Sequence, residues 1–342
     1  MVRLAREILL LLTAEHGPEE VLRRLSDPFW FQAFGCVLGF DWHSSGVTTT
    51  TCGAVKEAVR GLERDLGFYV AGGKGAVSRR TPEEIAGACE RLGRDPAPLV
   101  YASRMAAKVD NTAVQSGHQL YHHAFFFTEE GRWCVVQQGM SAATRTARRY
   151  HWLGEKIASF VNEPHAAVCC DARGVTLNFV AEESRDARVA APELAGGGPE
   201  KTLAVVERAR SLVLPRAHVL RPEDIDPRHL KKILLRTYER APKDFEALLG
   251  IEGVGPKTLR ALALVAELVY GARTSTRDPA RFAFAHGGKD GTPYPVDRAV
   301  YDTTIQMLQD VLSQAHADLS EKVKALRRLA RFASRPAEPL SE

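Results

Sequence analysis

The chain has 342 residues, 45% of them hydrophobic and 26% charged, enough to bury a full core and, at roughly 100–200 residues per domain, to form two domains. Lys and Arg number 46 against 42 Asp and Glu, a formal net charge of +4, so a surface for a polyanion has to come from local clustering and not from the total. Six cysteines (Cys36, Cys52, Cys89, Cys134, Cys169 and Cys170) occur without CxxC pairs or a His/Cys ligand spacing, which argues against a zinc site or disulfide framework and for reduced thiols.

Residues 4–14 and 21–25 read as helices. The most apolar N-terminal run, 8–12, is too short for a membrane span or a signal peptide, and the protein is expected in the cytoplasm. Residues 82–92 read as a helix with Thr81 as N-cap, Pro82 in the first position and Glu84 three residues on. The runs 124–128 and 133–137, joined by 129–132, are the strongest hairpin in the sequence, and 166–170 with 175–180 reads as a second. Gly196-Gly197-Gly198-Pro199 marks a domain boundary. Beyond it the pattern is helical: 202–214, 227–239, 244–249, 257–270, 296–316 and 319–332. The last of these sets Lys322, Lys324, Arg327, Arg328 and Arg331 around Val323, Leu326 and Leu329, one face apolar and the other basic. The expected fold class is α+β: a mixed domain with antiparallel hairpins over 1–195 and an all-helical domain over 200–335.

The stretch LLGIEGVGPKTLRALALVAELVYG, 248–271, interrupts a helical pattern with Gly253-Val254-Gly255. Glycines permit positive φ and close backbone approach, and Pro256 suits the first turn of the next helix. Such a turn exposes N–H groups at the positive end of a helix dipole, where they can hold a backbone phosphate without reading sequence. The residues expected at DNA are Gly253, Val254, Gly255, Lys257 and Thr258. The bland alternative is a plain helix corner with a glycine turn.

This segment, followed by PYPVDRAVYDTTI, resembles the helix-hairpin-helix DNA glycosylases of base-excision repair. The resemblance covers roughly residues 200–316. It implies that Lys257, directly behind the turn, is the amine that attacks the sugar and forms a Schiff base. It also implies that Asp297 is the essential aspartate, with the target base flipped out of the duplex. Forty residues separate Lys257 from Asp297, more than the family's usual spacing, with RTSTRDPARFAFAHGGKDGT as an apparent insertion. The C-terminal iron–sulphur cysteines of one branch are missing. Pro295-Val296-Asp297 is also an ordinary helix start.

Taken whole, the sequence resembles a prokaryotic family of proteins of unknown function in which strings such as RLSDPFWFQAFGCVLGFDWHSSGVTTT, VAGGKG, YASRMAAKVD and VVQQGM precede a hairpin of this type. That likeness supplies no activity; it implies that the chain begins inside the family's usual N-terminus. Within these strings Asp41 and Asp110 could bind Mg²⁺ or Mn²⁺ in a nuclease site assisted by His43, His118, His122, His123 or a lysine. Asn111, Gln137 and Gln138 add to the polar set. No cofactor is expected if that reading fails, and these residues are then turn and cap groups. Lys74, Arg79 and Arg80 in AGGKGAVSRR, and Arg145, Arg148 and Arg149 in SAATRTARRYHW, are further candidates for DNA contact. Three readings result, all with DNA as partner: a glycosylase/lyase, a metal-dependent nuclease, and a binding protein without catalysis.

Overall fold

The phenylalanine run 125–127 sets the architecture, because alternate side chains of a strand point to opposite faces and here both faces are covered. A computed structural model describes residues 1–40, 46–170, 172–209, 219–221, 225–282 and 298–333. Its main sheet is antiparallel, with β1 (Phe68–Lys74), β3 (Gln119–Thr128), β4 (Trp133–Met140), β5 (Ala147–Leu153) and β6 (Ala167–Cys170) in the order β1-β3-β4-β5-β6. β2 (Val114–Gln115) and β7 (Leu177–Asn178) form a separate pair. Phe125 and Phe127 join Tyr69, Val135, Tyr150 and Trp152 in one core. Phe126 joins Phe68, Cys134, Val136 and Leu153 in another, on the opposite face.

The second core is closed by α1 (Val2–His16), α2 (Pro18–Ser26), α3 (Pro28–Leu38), α4 (Val47–Val59), α14 (Arg298–Gln314) and α15 (Leu319–Ala333). The first is closed by α7 (Thr81–Leu92), α8 (Ala97–Lys108), α9 (Arg185–Gly196), α10 (Pro199–Ala209), α11 (Pro227–Arg240), α12 (Phe245–Gly250) and α13 (Pro256–Tyr270). Two short helices, α5 (Glu63–Leu66) and α6 (Ala76–Arg79), flank β1. The chain is thus α+β, with helical layers on both faces of an antiparallel sheet. Its buried side chains do not group by the expected division into 1–195 and 200–335. The first core runs from Tyr69 to Ala280, and the C-terminal α14 and α15 pack against N-terminal helices. Among the described residues no helix is long and apolar enough to cross a membrane.

The hairpin read at 124–137 is β3–β4, with Phe127 opposite Trp133. The second expected hairpin does not form: β6 pairs with β5, and β7 pairs with β2. The groups that such a hairpin would use are taken by residues 275–282 of the apparent insertion. Cys170 N donates to Phe282 O at 2.9 Å, Asn178 N to Ser275 O at 2.8 Å and Thr176 N to Thr276 O at 3.2 Å. Thr81 is the first residue of α7 and not its cap, its hydroxyl donating to Ser78 O at 2.7 Å. Neither β1 nor β5 is expected as a strand from the sequence; β5 reads as a basic surface and is an interior strand.

Candidate nucleic-acid interface and the polar end of the sheet

Asp244 starts α12, its Oδ1 accepting from Ala247 N at 2.7 Å as an N-cap residue does. The chain then turns, with Val254 N donating to Ile251 O at 3.2 Å. Gly253 has φ +89°, and a Cβ there would lie 2.7 Å from Ile233 Cδ1, so glycine is needed for both conformation and space. Gly255 is extended, with φ −129° and ψ −175°, and forms the N-cap of α13 with no side-chain cap. Its space is open, the nearest atom to a Cβ being 3.9 Å away. Glycine is therefore required at Gly253, whereas at Gly255 it only leaves the helix terminus uncovered.

Val254 is fully buried and Thr258 is 2% exposed. Of the expected DNA-contact residues in the turn, these two serve the core through their side chains and offer only backbone to a partner. Lys257 is exposed and makes no ion pair or hydrogen bond among the described residues. The turn is held against the sheet-bearing part of the chain. Lys108 Nζ donates to Val254 O at 2.5 Å, Gln115 Nε2 to Pro256 O at 3.1 Å and Arg260 Nε to Gln115 Oε1 at 2.8 Å. Burial lowers the Lys108 amine below its ordinary pKa, against the pull of Glu252. A cleft of about 680 Å³ opens beside the turn between α11 and α12, with Arg236, Arg240, Gly250 and Glu252 among its walls.

Gln115 lies in β2, just ahead of β3, so the turn is attached near one end of the main sheet. Lys74 at the end of β1 sits at that same end, paired with His122. Lys74, Arg79 and Arg80 are exposed there, and so is Arg145 on the turn between β4 and β5, held at φ +58°. Arg148 and Arg149 are placed differently from the expectation. Both are buried inside β5, Arg148 donating to Asp278 Oδ2 at 2.7 Å and Arg149 to Gln32 Oε1 at 2.9 Å, with Arg149 also 4.8 Å over the Phe31 ring. Each faces the side of the sheet opposite to the other, as strand alternation dictates, and neither lies on the exposed surface where the expectation put it.

Asp110 is likewise interior. It lies in a π-helical turn, Val109–Ala113, and is fully buried. Its Oδ2 accepts from Gln137 Nε2 at 2.5 Å and from Trp152 Nε1 at 2.9 Å, and its Oδ1 faces His165 Nε2 at 2.5 Å. Because Gln137 gives its amide hydrogens to Asp110, its Oε1 must accept from His123 Nδ1 at 2.6 Å. That fixes the neutral tautomer of His123, whose Nε2 accepts from Ser103 Oγ at 2.8 Å. Burial holds His123 down at about 4 and raises the Asp110 carboxyl, against His165, Trp152 and Gln137. With both carboxylate oxygens engaged, Asp110 is a structural hub and not a free metal ligand. Among the described residues no group of three or more His, Cys, Asp or Glu is placed to hold a metal. Asp41 and Asp297 lie outside the described residues, and so does His43.

Ser103, Lys108, Gln115, His165 and Asp278 were not singled out by the sequence. Each acts through a partner far along the chain, and lone polar residues in helical or strand patterns give no local signal of that.

An α+β protein with an antiparallel sheet between two helical layers, carrying a glycine-containing turn between two helices beside one end of the sheet, is the class these observations define. The chain belongs to the DUF763 family, described as proteins of unknown function, whose profile matches residues 1–296. No curated protein and no solved structure matches it.

Proposed function

We propose that this protein binds DNA through its backbone, without reading sequence, using the turn 251–255 and the first turn of α13 as a helix-hairpin-helix grip. The observation that supports this best is the N-terminus of α13. It has no side-chain cap, its N-cap Gly255 leaves the space in front of it open, and the ammonium of Lys257, without a partner among the described residues, stands beside it. Amide donors, helix dipole and an exposed cation together fit a phosphodiester. Lys74, Arg79, Arg80 and Arg145 extend positive charge along the same end of the sheet.

The exposure of Lys257 also favours a second reading, a DNA glycosylase/AP lyase in which Lys257 is the nucleophile and Asp297 its carboxylate partner. The metal-dependent nuclease reading draws less support, because Asp110 already accepts from three donors. Borohydride trapping on a duplex with one abasic site, in EDTA, separates the first two readings. A covalent adduct lost in Lys257→Ala makes the protein a lyase. Tight binding without an adduct leaves it a DNA-binding protein.

A further inference from the structure

Arg148 lies directly across from Gly139 of β4 and Cys170 of β6, with 1% of its side chain exposed. Its Nη2 is paired with Asp278. Its Nε and Nη1 are buried without a hydrogen-bond partner among the described residues. Burial works against its charge, but Tyr150, Asp278 and Cys170 outweigh that and hold its pKa above the ordinary arginine value, so the cation is permanent. Buried donors left unpaired are costly and rare in folded proteins. Asp278 is already committed, its Oδ2 accepting also from Gly174 N at 2.9 Å and its Oδ1 from Ala280 N at 2.8 Å. The guanidinium therefore calls for an acceptor that the described residues do not supply.

His118 is the neighbour that feels this charge: burial and then Arg148 lower it to about 4, which keeps it neutral. Its Nδ1 lies 3.0 Å from Ser116 Oγ and its Nε2 3.0 Å from Thr146 Oγ1, with Cys170 Sγ at 3.9 Å. The approach depends on Gly139, since a Cβ there would come within 3.1 Å of His118 Cβ. Thr144 Oγ1 meets Thr146 Oγ1 at 2.7 Å, and Thr144 and Arg145 are exposed. Hydroxyl contacts thus run from Thr144 on the exposed β4–β5 turn through Thr146 to His118, the neighbour of the buried cation.

We propose that Arg148 and its neighbours bind a phosphate-type oxyanion, with Arg148 as the inner charged donor, Ser116, Thr146 and His118 as neutral partners and Arg145 as the outer cation. Charge-assisted bonds from a guanidinium to phosphate are strong and geometrically specific. These residues adjoin the turn before α13, because Gln115, which holds Pro256, immediately precedes Ser116. The oxyanion is either the terminal phosphate of a nucleic-acid strand or free inorganic phosphate. Only the first source rests on the DNA-binding reading.

The test is calorimetric titration of the full chain with inorganic phosphate at fixed ionic strength, alongside anisotropy with one oligonucleotide carrying either a 5′-phosphate or a 5′-hydroxyl. Saturable phosphate binding weakened at least tenfold in Arg148→Met supports the site. A tenfold preference for the phosphorylated strand, lost in the same variant, identifies a strand end as the source; equal binding of both strands with retained phosphate binding identifies free phosphate. If Arg148→Met does not fold, Ser116→Ala and Thr146→Val at the partly exposed rim take its place, with a loss of at least threefold expected. No phosphate heat together with no strand preference overturns the proposal. So does unchanged phosphate binding in the folded variants. Failure of general duplex binding with phosphate binding intact would sink the DNA reading and leave this site standing.

Discussion

Replacing His122 with leucine should make the protein more resistant to acid. His122 stands on β3 between Lys74 and Gln138, is 1% exposed, and neither ring nitrogen has a hydrogen-bond partner among the described residues. Burial, followed by His123 and Lys74, lowers its pKa to about 3, against about 6.5 in an unfolded chain. A folded pKa below the unfolded one gives stability that is present above about pH 6.5 and is lost as pH falls toward the folded value. At pH 5 the unfolded state has gained about 1.5 pH units' worth of protonation free energy at 1.36 kcal/mol per unit, so this residue alone costs about 2 kcal/mol. His118 and His123, both lowered to about 4, and His151, lowered further by burial and Arg149, act in the same direction. Together the four approach about 8 kcal/mol, comparable to the whole stability of an ordinary domain. Urea unfolding followed by circular dichroism at pH 7.5 and pH 5 measures this. The wild type should lose about 2 kcal/mol more than His122→Leu between the two pH values. Taking the difference between the two proteins removes the opposing contributions of Asp27 and Asp110, whose pKa values are raised mainly by burial. Equal losses in both proteins would refute the reasoning.

The two glycines of the hairpin should behave differently. Gly253→Ala meets both a left-handed φ and the Ile233 side chain and should cost about 1–3 kcal/mol, while Gly255→Ala should stay within about 0.5 kcal/mol of wild type; thermal unfolding of both variants checks this. Asp110→Asn leaves too few acceptors for Gln137, Trp152 and His165 and should cost about 2–4 kcal/mol in denaturant titration, with a small loss contradicting the hub role. Lys257→Ala should weaken duplex binding and flatten the salt dependence by about one unit in the log–log slope, whichever duplex sequence is used.

What the sequence discloses here is what short-range pattern encodes. Alternating bulky residues identify β3–β4, and helical spacing finds α1, α11 and α13. Gly253 and Pro256 mark a turn that the chain indeed makes. The strands around them were harder to see. β5 is written Ala-Arg-Arg-Tyr-His-Trp-Leu, and its two arginines look like surface until Asp278, 130 residues away, and Gln32, 117 away, are found to hold them. The second hairpin failed for the same reason, since residues 275–282 arrive from beyond α13 and pair beside β6 and β7. Lys74, Arg79, Arg80, Arg145 and Lys257 were recognisable as exposed cations. The Ser103–His123–Gln137–Asp110 chain was visible only as scattered polar letters, because its order depends on which strand face and which helix meet.

Fluorescence anisotropy of a labelled duplex at 50 mM and 200 mM salt, comparing wild type with Gly255→Asp, tests the central claim most directly. Gly255 is extended and open, so the aspartate places a carboxylate at the proposed phosphate position without disturbing the fold. Wild-type binding should fall steeply with salt, and the variant should bind at least tenfold more weakly while unfolding at the same temperature. An equal affinity for the two proteins would contradict the hairpin as the grip on DNA.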